Sequence, residues 1–150
     1  MSAFAIGNLS LLLAIPVFGA VVLALLPTRN RQTLFAVALL ASGIDFLLSV
    51  KILGGFDARN GAMQFLERIP WIPAFGIEYF VGVDGISLFL VLLTTLLMPI
   101  AILASWPVTD RVKEYLVFML LLETGMLGAF VALDLFLFYV FWEVMLVPMY

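Results

Sequence analysis

Between Tyr115 and Tyr150 the chain runs for 36 residues in which Glu123, Asp134 and Glu143 are the only charges. As one helix this segment would be ~54 Å long, well beyond the ~30 Å hydrocarbon core of a bilayer. It must fold back. Asp134 is the natural break, because its carboxylate can cap a new helix after Leu133. The same reasoning organises the rest of the chain. Leu9–Leu26 is long enough for a first span, with Pro16 and Gly19 inside it, and ends at Pro27, Thr28, Arg29, Asn30 and Arg31. Membrane helices tolerate such interior residues where neighbours re-satisfy the backbone. A second span runs from about Thr33 to Leu53, interrupted by Asp45, and a third from about Ile86 to Trp106, with Asp84 as its N-cap and Pro99 as a kink. A polar turn, Pro107 to Glu114, precedes the fourth span, which ends near Ala132; the fifth starts near Asp134.

Residues 54–82 are mixed in character and form an extramembrane loop. Its apolar arms, Met63–Ile69 and Ile77–Val81, flank Pro70-Trp71-Ile72-Pro73-Ala74-Phe75-Gly76, which suggests a hairpin. The expected fold is therefore all-α: a polytopic transmembrane bundle of about five spans, with a hairpin loop between spans two and three. We read residues 1–150 as a single membrane domain and as the N-terminal fragment of a longer chain, because the last apolar run meets no polar stop.

Composition narrows the function. The chain is 65% hydrophobic and 11% charged, with a net charge of −3. That excludes a disordered chain, a nucleic-acid binder and an ordinary water-soluble enzyme. It has no Cys and no His, which removes thiolate and imidazole metal sites, haem attachment and the commonest general base. Proton chemistry falls to carboxylates, Lys or Tyr. With the N-terminus outside, Arg29/Arg31 and Arg111/Lys113 lie in cytoplasmic turns, and the long loop, carrying Lys51, Arg59 and Arg68 against Asp57, Glu67 and Glu78, lies outside.

Three acids fall inside spans: Asp45, Glu123 and Glu143. A carboxylate at the bilayer centre costs ~2.5–3.5 kcal/mol on insertion scales, so such residues mark ion or proton paths. Glu143 lies ~14 Å past Asp134, at the midplane, in a polar stripe with Tyr139 and Tyr150. We read it as a proton carrier rather than a structural acid. Glu123, on the antiparallel fourth span, is expected near the same depth. If it faces Glu143, the two share a proton; if not, it is a structural hydrogen-bond partner, and the helical wheel leaves this open. Asp45 shares a face with Ser42 and Ser49, and a packing or lipid-interface role is favoured. Thr94 and Thr95 read as backbone satisfiers, Thr124, Gly128 and Ala132 as a close-packing stripe, and Trp71, Trp106 and Tyr115 as interface anchors. Lys51 and Lys113 lie near span ends, so the midplane acids have no obvious basic partner in this chain.

Several stretches are specific. Pro70-Trp71-Ile72-Pro73, Gly76-Ile77-Glu78-Tyr79, Val83-Asp84-Gly85-Ile86-Ser87-Leu88, Ala132-Leu133-Asp134-Leu135-Phe136-Leu137-Phe138 and Phe141-Trp142-Glu143-Val144-Met145-Leu146-Val147-Pro148-Met149-Tyr150 closely resemble the N-terminal region of the antiporter-like family of bacterial subunit M, or chain 4, of NADH:quinone oxidoreductase (respiratory complex I). The resemblance covers essentially the whole chain. It implies a proton-translocating membrane-arm subunit with an outside N-terminus in the bacterial cytoplasmic membrane, and more spans than five. Its partners would be other membrane-arm subunits, the lipid bilayer and protons, with no nucleic acid. The resemblance also implies that Glu143 matches the family's fifth-helix acid, which works with a Lys on a later helix. Glu123 matches an acid seen in some members only. No cofactor is implied for this chain: FMN, iron–sulfur clusters and quinone would be bound by other subunits. The competing readings are a subunit of a multi-subunit cation/proton antiporter and a structural membrane-arm fragment without transport.

Overall fold

The computed structural model describes residues 7–27 and 30–150; Arg29, assigned above to a cytoplasmic turn, lies outside the described residues. The polar interruptions fall where the elements end. Helices α1 (Asn8–Leu25), α2 (Arg31–Gly54), α3 (Gly85–Ala104) and α4 (Val112–Val131) are each long and apolar enough to cross a membrane, and α5 (Leu135–Met149) is a shorter apolar helix. This is a multi-pass membrane fold. Between α2 and α3 stand two antiparallel strands, β1 (Gln64–Ile72) and β2 (Ile77–Val83), joined through a one-turn 3-10 helix, Pro73–Phe75, and Gly76 at φ 66°. The reversal needs this left-handed residue, which glycine supplies without a Cβ clash. Strand β1 extends through Pro70, beyond the arm read from sequence. A proline fits there because each strand of a two-stranded sheet is an edge. A bulge between Gln64 and Glu67, with Phe65 at φ 54°, turns the Phe65 ring onto the core.

Local chemistry explains the helix starts. Asp84 accepts from the backbone N–H of Ile86 (3.0 Å) and Ser87 (2.7 Å), and the Ser87 hydroxyl accepts from the Asp84 N–H (2.9 Å), a complete capping box on α3. Those bonds, the Ser87 N–H first, hold the Asp84 carboxyl below the usual carboxylate range. Asp134 caps α5 in the same way, accepting from Phe136 and Leu137 at 2.9 and 3.0 Å. At the opposite end, the Lys113 ammonium donates to the Leu26 carbonyl at 2.9 Å, satisfying an orphan acceptor past the end of α1. Arg31 lies over the rings of Phe35 and Trp106, so Trp106 packs as part of a cation–π stack.

The interior is layered. One apolar cluster, at the hairpin end, joins Leu9, Leu12, Val81, Val83, Leu88, Leu127 and Val131; a second, at the other end, joins Leu23, Leu34, Phe35, Met98, Ile102, Leu116 and Leu120. Helix α5 packs on α4 at closest approach, where Gly125 meets Met145 and Gly128 meets Phe141. The small residues against α5 are thus Gly125 and Gly128, whereas the sequence pointed to Thr124, Gly128 and Ala132.

Candidate functional site

Between the two apolar clusters lies a belt of polar side chains. Ser42, Asp45 and Ser49 from α2, Thr94 and Thr95 from α3, and Glu123 and Thr124 from α4 are all buried, and they are the buried polar residues of the described chain. Each position falls, along its own helix, between residues of one cluster and residues of the other. The belt is therefore at mid-height, sealed above and below by hydrocarbon side chains.

Most of the hydroxyls serve the backbone. Thr94 donates to the Leu90 carbonyl (2.8 Å), Thr95 to Val91 (3.1 Å) and Thr124 to Leu120 (3.1 Å), as expected for hydroxyls in apolar helices. Ser49 and Thr95 also bond each other at 2.7 Å, tying α2 to α3. The carboxyls differ. Asp45 and Glu123 are fully buried, with 0% exposure, and none of their four oxygens has a hydrogen-bond partner among the described residues. They stand in the same belt on α2 and α4, which pack against each other.

This arrangement corrects the lipid-interface and equal-depth expectations and answers the question the helical wheel left open. Asp45 is neither at the lipid interface nor satisfied by its serines; its face of α2 is the inward face. And Glu123 does not face Glu143. Glu143 is exposed on the outer side of α5, of which Leu137 is the buried residue. The Gly125–Met145 and Gly128–Phe141 contacts set the α4–α5 register. By that register Glu143 lies level with Leu127, about 6 Å along the axis from Glu123. The turn at 132–134 is extended, so α4 ends before the two acids reach equal depth. Tyr139 stands one turn before Glu143, at i, i+4 spacing, and Tyr150 is exposed at the helix end. The Ser42–Asp45–Ser49 spacing did carry the missing signal: three polar residues on one face of an otherwise apolar helix mark the side turned to the interior.

A second polar centre, silent in the sequence, closes the hairpin onto the bundle. Gly7 at the N-cap of α1 makes no side-chain cap. The Glu67 carboxylate of β1 supplies it instead, accepting from the N–H of Leu9 (2.8 Å) and Ser10 (3.2 Å) and from the Ser10 hydroxyl. Ser10 Oγ is 2.8 Å from the Tyr79 hydroxyl, which burial pushes above its ordinary pKa. Glu78 pairs with Arg68 at 2.5 Å on the exposed side. On the far edge, β2 meets the α4–α5 turn: Val81 bridges Ala132, and the Leu133 N–H donates to the Phe80 carbonyl at 2.8 Å.

Comparison with known proteins places this architecture. Residues 62–132 match the family model described as NADH-ubiquinone oxidoreductase chain 4, amino terminus. The chain is 47% identical over 147 residues to NADH-quinone oxidoreductase subunit M of Rhodobacter capsulatus, covering 95% of this chain and 28% of the relative. It is 42% identical over 144 residues to NADH-ubiquinone oxidoreductase chain 4 of Arabidopsis thaliana, covering 95% of this chain and 29% of the relative. It thus spans under a third of the length of these relatives. Among solved structures, a chain of respiratory complex I from Thermus thermophilus with bound NADH superposes with a TM-score of 0.75 at 31% identity, over 93% of this chain and 27% of that one. By this similarity in sequence, the chain belongs to the family of NADH-quinone oxidoreductase subunit M, or chain 4.

Proposed function

We propose that this chain is part of a proton-translocating membrane-arm subunit of NADH:quinone oxidoreductase, with Glu143 and Glu123 as its proton-transferring residues. The subunit is a non-redox part of the enzyme; FMN, iron–sulfur clusters and quinone are bound by other subunits, and its partners are the neighbouring subunits of the membrane arm. It sits in the bacterial cytoplasmic membrane with its N-terminus outside, the hairpin on that same side, and Arg31, Arg111 and Lys113 at the cytoplasmic ends.

The observation that carries the reading is Glu143. It stands mid-helix on α5, one turn after Tyr139, on a face that the described helices leave open. A carboxyl facing lipid there is costly. The face therefore meets a polar partner in the assembled enzyme, and a basic residue on it completes a proton-exchanging pair. Glu143→Gln keeps shape and hydrogen bonding but removes ionisation. In membrane vesicles it lowers NADH-driven proton uptake about tenfold or more, within the range a positioned proton-transfer group supplies, at normal content of the assembled complex. Normal uptake at normal content refutes the carrier role.

A further inference from the structure

Asp45 and Glu123 are 78 positions apart in sequence, yet both are buried in the same mid-height belt, on helices α2 and α4 that pack against each other. Both are fully buried, and all four carboxyl oxygens lack a hydrogen-bond partner among the described residues. The surrounding polar groups are hydroxyls: Ser42, Ser49, Thr95 and Thr124. No other charged residue is buried among the described residues, so no ammonium or guanidinium balances the pair from α1, α3, α4 or α5. Two ionised carboxylates cannot persist side by side in such a place. Each alone carries a large desolvation cost, and their repulsion adds to it. A proton held between them removes one charge, supplies the missing donor, and satisfies oxygens on both sides.

We propose that Asp45 and Glu123 form a second proton-binding site, a carboxyl pair that retains at least one shared proton at neutral pH. The proton sits on one carboxyl and is donated to an oxygen of the other, directly or through a water, and passes between them. The apolar clusters above and below make the site a store with slow exchange rather than an open channel. Helix α2 is its hub, since the Ser49–Thr95 bond links the same helix to α3 one turn away. The use of this proton in pumping rests on the translocation reading above; its retention does not.

Infrared difference spectroscopy of the assembled enzyme in membranes tests retention. The native enzyme shows, at neutral pH, a protonated-carboxyl C=O band that shifts slowly in D2O. Asp45→Asn and Glu123→Gln each alter that band, because each changes the partner of the same proton. A spectrum unchanged by both substitutions overturns the pair. So does a band replaced by a sodium-dependent change, which would make the site a cation site. Asp45→Glu keeps an acid and serves where Asn prevents assembly: it moves the band without abolishing it, and an unmoved band overturns the proposal. Vesicle assays test its use. Each single substitution lowers proton uptake per quinone reduced several-fold, and the double substitution lowers it no further than the worse single one, as for residues acting as a unit. Multiplied losses in the double variant show independent sites and overturn the pair. Normal uptake in the pair variants with loss in Glu143→Gln defeats the use of the pair alone. The reverse pattern defeats the Glu143 reading alone.

Discussion

Glu67 caps a helix whose first turn lies 57 and 58 residues before it in sequence, and removing it gives a measurable local opening. Its carboxylate holds the Leu9 and Ser10 N–H groups and the Ser10 hydroxyl, in place of the cap that Gly7 does not provide. Losing an N-cap acceptor costs ~0.5–2 kcal/mol. Losing a negative charge at a helix N-terminus costs a further ~0.3–1 kcal/mol. Glu67→Ala therefore lowers the stability of the first turn of α1 by about 1–3 kcal/mol, or roughly 5- to 150-fold in its opening equilibrium. Hydrogen–deuterium exchange of residues 8–12 in the membrane-embedded protein reads this directly. Glu67→Gln keeps an acceptor oxygen and loses mainly the charge contribution, so it falls between Ala and native. Exchange in α1 unchanged by Glu67→Ala refutes the cap. Equal acceleration throughout all helices refutes it too, because the effect would then be global rather than local.

Gly128→Leu collides with the Phe141 ring, which already lies 2.2 Å from where a Cβ would stand; assembled complex content falls, whereas Gly61→Ala, with open space around it, leaves content unchanged. Asp134→Ala removes the α5 cap, costs about 1 kcal/mol, and speeds amide exchange at Phe136 and Leu137 roughly fivefold. The Asp84 carboxyl is held below its ordinary range, so its contribution to α3 is full above the unfolded value of about 3.9 and is lost as pH falls through the lower folded value. The Ser87 amide resonance follows that titration in the native protein and not in Asp84→Asn. The chain has no native Cys, so a lone Cys at position 60 reports sidedness: a membrane-impermeant maleimide labels Asn60→Cys from outside, and labelling only from the cytoplasmic side inverts the proposed orientation.

The elements were legible because their limits are physical necessities. Clusters of charged, turn and helix-breaking residues end the apolar runs, so Pro27, Gly54, Pro107 and Asp134 mark the ends of spans. Asp84 and Asp134 were legible as caps because their partners are two and three residues away. What lay outside the sequence was direction. Helices such as α4 are apolar on nearly every side, so the wheel does not say which face turns inward, and the partner of Glu123 depends on how α2 and α4 rotate against each other. The depth of Glu123 relative to Glu143 depends on a turn only a few residues long, where an extended Ala132 shifts one helix by about a turn. Glu67 was invisible for another reason: its hydrogen-bond partners lie 57 and 58 residues away.

The contacts that fasten the hairpin also set an order of construction. Its inner side is tied to Ser10, made early, and its outer edge to Ala132 and Leu133, made late. At ~5–20 residues per second, the ribosome produces Leu133 roughly 3–13 s after Glu67. Through that interval the hairpin can dock on α1, while the backbone of Phe80 and Val81 still awaits its partners. Only the emergence of the α4–α5 turn completes the sheet edge and fixes where α5 stands. Closure of the hairpin thus waits for the same turn that sets the height of Glu143, and a nascent chain stalled before Leu133 would hold an unfinished clasp.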